Sequence, residues 1–230
     1  MSISPTIFVI NLESRVDRRI ETIKQLSRIG WSAQFFQAIR PESAANFPSI
    51  GARGAFLSHL AVLKNAQGSG SQQLVILEDD VNFAPGFAER WASSMAALET
   101  QNWSIFYPGH VLDSLPPGLS CIPPSVNVVC AHFVVINGPA ISTLISGLET
   151  ILSRPSGHPL GSPMHVDGAY STIRMQNHSL VTYAHFPALG YQRPSRSDIG
   201  DLRWFDRIGA LAPAVSLARK VKAMSRSLRE

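Results

Sequence analysis

Apolar runs too short for helices alternate along this chain with longer segments whose apolar residues recur at helical spacing. Thr6 to Leu12 carries Ile7-Phe8-Val9-Ile10 and ends at Asn11, the pattern of a strand covered on both faces. Val16, Ile20, Ile23, Leu26 and Ile29 then recur every three or four positions until Gly30, which predicts a helix. Ser14 and Asp17 stand at capping-box spacing at its start. Ala33 to Ile39 reads as a shorter strand, so the chain opens β-α-β. A second helix follows Gly51 and carries Leu57, Leu60 and Leu63 until Gly68-Ser69-Gly70-Ser71 closes it. Leu74-Val75-Ile76-Leu77 is a central strand running directly into Glu78, Asp79 and Asp80.

The second half repeats the alternation. Phe87 to Leu98 is helical in spacing, Trp103 to Tyr107 strand-like, and residues 108–124 form a long Pro- and Gly-containing loop. Val126 to Asn137 reads as a strand or a hairpin interrupted near Cys130, and Pro139 to Leu152 as a helix. A second loop, 154–164, leads to a helix starting at Asp167, then a strand from Leu180 to Ala184 and a polar stretch over 191–199. Ala214, Leu217, Val221, Met224 and Leu228 form one apolar stripe, crowded by Arg219, Lys220, Lys222, Arg226 and Arg229. The pattern predicts an α/β fold: an open, mostly parallel sheet with helices on both faces, over residues 1–205. A basic amphipathic helix over 206–230 follows, suited to an anionic membrane surface or to packing on its own domain.

Composition narrows this only modestly. A chain of 230 residues, 45% hydrophobic and 16% charged, suits one globular domain. The formal charge of +4 favours an anionic partner without choosing among nucleotide, nucleic acid and membrane. Cys121 and Cys130 fit no zinc spacing and read as two buried free thiols in a reducing compartment. With no signal-like or membrane-spanning run, a cytoplasmic protein is expected.

Candidate chemistry gathers at strand ends. Three carboxylates at one strand end repel each other, and a hard divalent cation relieves that repulsion. A solvated turn whose acids cap the next helix is the competing explanation. Arg15, Arg18 and Arg19 lie at the first strand–helix junction, where a diphosphate would meet guanidinium groups and helix N–H groups. Gly51 and Gly54 permit close backbone approach at a helix start. Ser58-His59 is no nucleophile–base pair, because adjacent helix residues point apart; His59 is structural or contacts a donor. His110 and Asp113 sit in the long loop as acceptor-facing candidates. Asp167 is either a helix cap or a base.

Several stretches together resemble the bacterial lipopolysaccharide glycosyltransferases of family 25, the group that includes the collagen galactosyltransferases. They are Val9-Ile10-Asn11-Leu12 followed by Asp17-Arg18-Arg19; Gly54-x-x-Leu57-Ser58-His59; Val75 to Val81; Asp167; and Pro187…Gln192…Ser197-Asp198-Ile199, in order over about residues 5 to 200. The resemblance implies a GT-A fold, a UDP-sugar donor (galactose or glucose), Mn²⁺ or Mg²⁺, and inversion at the anomeric carbon. It implies metal binding by Glu78, Asp79 and Asp80. Donor contacts would come from Asn11, Arg15, Arg18, Gly54, Ser58, His59, Glu78, Asp79, Gln192 and Ser197, and the base would be Asp167 or, second, Asp198. The acceptor would be a glycan or glycolipid in lipopolysaccharide or surface polysaccharide synthesis, reached from the cytoplasmic face of an inner membrane and without nucleic acid. The chain departs from the family pattern at Ala55, usually a cysteine, and at Ile39-Arg40-Pro41-Glu42, usually an acidic-glycine turn. Two rivals stay open: a metal-dependent phosphohydrolase, and an inactive relative that keeps the fold for binding.

Overall fold

The computed structural model describes residues 5–112 and 114–193. The first half contains β1 (Thr6–Asn11), α1 (Val16–Arg28), β2 (Gln34–Gln37), α2 (Ile50–Gly68), β3 (Gln73–Glu78), β4 (Val81–Phe83), α3 (Phe87–Glu99) and β5 (Ile105–Tyr107). The second contains β6 (Gly118–Ile122), β7 (Phe133–Asn137), α4 (Gly138–Ser153), α5 (Val166–Gln176), β8 (Thr182–Phe186) and β9 (Gly190–Gln192). Seven strands form one sheet in the order β2-β1-β3-β7-β5-β8-β6. β2, β1, β3, β5 and β8 run the same way, while β7 and β6 oppose them. The expected α/β class and mostly parallel direction hold.

One apolar cluster on a sheet face joins Phe8, Leu74 and Ile76 to side chains of α2, α4 and α5. The other joins Val9, Val75, Leu77 and Phe133 to Leu26 of α1 and Phe87 of α3. Leu74 to Leu77 are wholly buried between them, as a central strand requires. β3 is thereby held rigidly, and its carboxyl end delivers Glu78, Asp79 and Asp80 to the sheet rim.

Several local expectations are corrected. Ser14 and Asp17 make no capping box: Arg15 occupies the cap position of α1 without a side-chain cap bond, and Asp17 accepts instead from Arg15. The α1 periodicity is real, but Val16, Ile20 and Ile23 are 58%, 49% and 45% exposed, and Thr22 and Leu26 are the buried residues. Only Phe133–Asn137 of the 126–137 run is strand, because Cys130 at φ 76° turns the chain just before it. The loop 108–124 contains β6, which pairs with β8, and a short second sheet joins β4 to β9. The cysteines are free, with Cys121 exposed and Cys130 half-buried. The 206–230 helix, Ser197, Asp198 and Asp113 lie outside the described residues. Among the described residues no helix is long and apolar enough to cross a membrane.

Candidate active site

The three acids at the β3 end find different partners: Glu78 closes the strand, and Asp79 and Asp80 form the turn after it. Asp79 turns toward α1, where its Oδ2 accepts from Asn11 Nδ2 at 2.7 Å and its Oδ1 from Arg18 Nη1 at 2.8 Å. Its carbonyl accepts from Thr22 Oγ1 at 2.8 Å and from Arg193 Nη2 at 2.9 Å. Asp79 therefore ties together the ends of β1, α1, β3 and β9. Asn11 and Arg18, expected as donor contacts, both engage Asp79 at the acidic rim. Arg15 forks onto Asp17, with contacts of 2.9 and 2.8 Å.

Asp80 and Glu78 have different surroundings. Asp80 Oδ2 lies 3.8 Å from Arg18 Nη1, while its Oδ1 is buried and has no hydrogen-bond partner. Burial and the charges of Glu78 and Asp79 push this carboxyl up to about 7, against the opposing pull of Arg18 and Arg193. Glu78 Oε1 lies 3.4 Å from His59 Nε2, an ion-pair distance rather than an aligned hydrogen bond. Burial raises the Glu78 carboxyl, but contact with His59 and the charges of His59, His132 and Arg18 outweigh it and hold it below the usual glutamate range.

The opposite wall comes from α5 and the turn before β7. Asp167 Oδ2 accepts from Cys130 N at 3.0 Å and Oδ1 from Gly168 N at 2.8 Å. Asp167 is thus the second residue of α5, not its cap. Cys130 Sγ lies 3.7 Å from Gln192 Oε1. Burial pushes the Cys130 thiol up to about 11, as do the charges of Asp167, Glu78 and Asp80. Asp167 thus contacts Cys130 directly, and the charges of Glu78 and Asp80 reach it through space.

The structure gives other work to Gly54 and Ser58, which were expected at a donor. Ser58 is wholly buried, donates to Gly54 O at 2.7 Å and accepts from Ile39 N at 2.8 Å. A Cβ on Gly54 would stand 2.8 Å from Ile39 O. The close approach that Gly54 permits is to the chain leaving β2. His110 is likewise occupied: Leu112 N donates to its Nδ1, and its Nε2 lies 2.9 Å from His185 O.

Some residues at the site carry no local signature. Arg193 fastens β9 to the acidic turn through its backbone N to Asp80 O at 2.6 Å and its Nη1 to Asn82 Oδ1 at 3.2 Å. Cys130, Thr22 and Tyr170 reach the site through contacts spanning 37 to 111 positions, which no periodicity encodes. Cys130 left a trace as the expected interruption of the 126–137 run, and Tyr170 lies three residues after Asp167, on the same helix face.

Among the described residues no three His, Cys, Asp or Glu side chains form a metal cage. The donor set still suits a cation that brings its own ligands. Mg²⁺-type sites use one or two carboxylates and complete their shell with water and substrate phosphate. Asp80, with an unpartnered buried oxygen, and the half-exposed Glu78 fit that requirement.

No protein-family model matches this chain. A protein of Anopheles gambiae named glycosyltransferase 25 family member is 28% identical over 125 residues, covering 45% of this chain and 21% of the relative. Procollagen galactosyltransferase 2 of Mus musculus is 24% identical over 204 residues, covering 78% of this chain and 32% of the relative. The chain thus spans between about a fifth and a third of the curated relatives it matches. Its fold matches the crystal structure of a glycosyltransferase involved in glycosylation of the major capsid of PBCV-1. The TM-score is 0.54 at 12% identity, covering 84% of this chain and 93% of that one. In sequence the chain is a homologue of proteins of glycosyltransferase family 25, and its sheet and helices share the fold of a glycosyltransferase.

Proposed function

We propose that the chain transfers a hexose, galactose or glucose, from a UDP-sugar to a glycan or glycolipid hydroxyl, with inversion and with a divalent cation. The observation that carries this reading is Asp80: a buried carboxylate oxygen without a partner, at the carboxyl end of a central strand, beside two further acids. Open α/β sheets bind ligands at that rim. The ligand set narrows to Asp80 and Glu78, since Asn11 and Arg18 engage both oxygens of Asp79. Mn²⁺ or Mg²⁺ bound there would offset the charge of the leaving diphosphate as a Lewis acid.

The chain's own residues supply the rest of the proposed mechanism. Asp79 holds the turn so that its neighbours face the rim. The guanidinium of Arg18, between Asp79 and Asp80, adds positive charge where the diphosphate would gather. Gln192 stands on the exposed side near Cys130, within the space the donor would occupy. Asp167 accepts the proton of the attacking hydroxyl, with its carboxylate orientation fixed by two backbone N–H groups and lone pairs left for the acceptor. Surface-polysaccharide or lipopolysaccharide acceptors are the class that the family resemblance favours.

Purified chain incubated with Mn²⁺, UDP-galactose or UDP-glucose and a glycan acceptor should release UDP. Asp167→Asn should slow turnover about 10²- to 10⁴-fold while leaving donor affinity near normal. Asp80→Asn should remove Mn²⁺-dependent donor binding. Normal turnover by Asp167→Asn would eliminate that residue as the base, and unchanged donor binding by Asp80→Asn would eliminate the metal site.

A further inference from the structure

Two polar rings lie behind Glu78, deep in the apolar contact between α2 and α5. His59 is wholly buried and Tyr170 is 1% exposed. Their ring centroids are 5.8 Å apart in an edge arrangement, and His59 Nδ1 lies 3.1 Å from the Tyr170 hydroxyl. His59 Nε2 faces Glu78 Oε1 at 3.4 Å. Burying an imidazole and a phenol is unfavourable unless each finds a partner. Here the two rings partner each other, while His59 Nε2 has no aligned hydrogen bond and faces the Glu78 carboxylate at ion-pair distance. An ionised carboxylate only accepts, so Nε2 must carry a hydrogen for this contact to be favourable. The Tyr170 hydroxyl then donates to a neutral ring or accepts from a protonated one, and in both cases Nε2 remains the group that faces Glu78.

We infer that His59 and Tyr170 are positioning residues: a buried support that aims the Glu78 carboxylate at the cation site, so that metal and donor affinity depend partly on the α2–α5 interface. The inference rests on the reading of Glu78 as a ligand given above. Its geometric basis is that one Glu78 oxygen faces the buried His59 ring at 3.4 Å while the Glu78 side chain stays 26% exposed. Groups that orient metal ligands from behind affect affinity strongly although they touch neither metal nor substrate. α5 also links this support to the other wall, because Asp167 and Tyr170 are three residues apart on that helix. At 3.4 Å the contact is long for a hydrogen bond, and it should shorten when a cation is held by Glu78.

The test uses the full chain and two binding readouts: free Mn²⁺ followed by electron paramagnetic resonance, and UDP with Mn²⁺ followed by calorimetry. An asparagine amide overlays the Nδ1 edge of a histidine, whereas a glutamine amide reaches toward its Nε2 edge. His59→Asn therefore keeps the Tyr170 contact and loses Glu78, and should weaken Mn²⁺-dependent UDP binding about 10- to 100-fold. His59→Gln should recover most of that loss. Tyr170→Phe should weaken binding in the same direction but less, without loss of the folded circular dichroism spectrum. Glu78→Gln combined with His59→Asn should be no weaker than Glu78→Gln alone, because both changes remove one interaction. A purely structural role predicts lower melting temperatures with unchanged Mn²⁺ affinity in every folded variant, and that result overturns the inference. No Mn²⁺ binding by the wild type would instead reject the donor-site reading, and this inference with it.

Discussion

The behaviour of Asp80 follows first from its burial and then from neighbouring acids that the nearby arginines do not fully offset. Its carboxyl is pushed up to about 7 by burial, Glu78 and Asp79, so the fold favours its protonated form relative to the unfolded chain. That contribution to stability is fully present below the ordinary carboxylate range and is lost as pH rises through about 7. Asp80→Asn removes the titration. The variant should be more stable than the metal-free wild type at pH 8, on the order of 2 kcal/mol, with the difference shrinking toward pH 5. Urea unfolding of both proteins across that range checks this, and parallel stability curves would contradict it. Asp79, by contrast, has both carboxylate oxygens engaged, one by Asn11 and one by Arg18. The Glu-Asp-Asp run is plain in the sequence. The division of labour within it is not, since it depends on Asn11, Arg18 and His59 arriving from three other elements.

Among the elements, α1 separates pattern from packing most clearly. Its apolar spacing predicts a helix correctly, yet the three regular positions Val16, Ile20 and Ile23 face outward. Thr22 takes an inward position because its hydroxyl reaches the Asp79 carbonyl at 2.8 Å. Ile20→Ala should change stability by less than about 0.5 kcal/mol, as at most exposed sites. Leu26→Ala should cost about 2–4 kcal/mol, as at most buried leucines. Equal losses in denaturant midpoints would show that the outward face is covered in solution. Strand β7 gives the converse lesson. The run from Val126 to Asn137 reads as a strand or as a hairpin interrupted near Cys130; the positive φ of Cys130 and its N–H bond to Asp167 do interrupt it there, and strand begins only at Phe133. A tertiary contact there overrides propensity.

For the molecule as a whole, the site is the place where both sheet faces meet their loops. Glu78 is supported from the α2, α4 and α5 side, whereas Asp79 is anchored to α1 on the other. A ligand bridging Asp80 and Glu78 should therefore stabilise the whole chain. Mn²⁺ with UDP at about 100 times the dissociation constant should add about 2.7 kcal/mol, seen as a raised melting temperature that a chelator reverses. No shift with any nucleotide diphosphate and Mn²⁺ would speak against the proposed donor site.

The linear pattern by itself determined the alternation of strands and helices, the buried central strand and the acidic cluster at its end. These are local matters: apolar period, turn residues and the abrupt change from Leu77 to Glu78. Only the tertiary structure decided which acid keeps an unpartnered oxygen, that Gly54 and Ser58 serve the chain leaving β2, that Cys130 and Arg193 border the rim, and that Tyr170 stands buried behind it. Those outcomes depend on contacts between residues tens of positions apart, where the cost of burying a polar group is met by whichever partner the fold brings near.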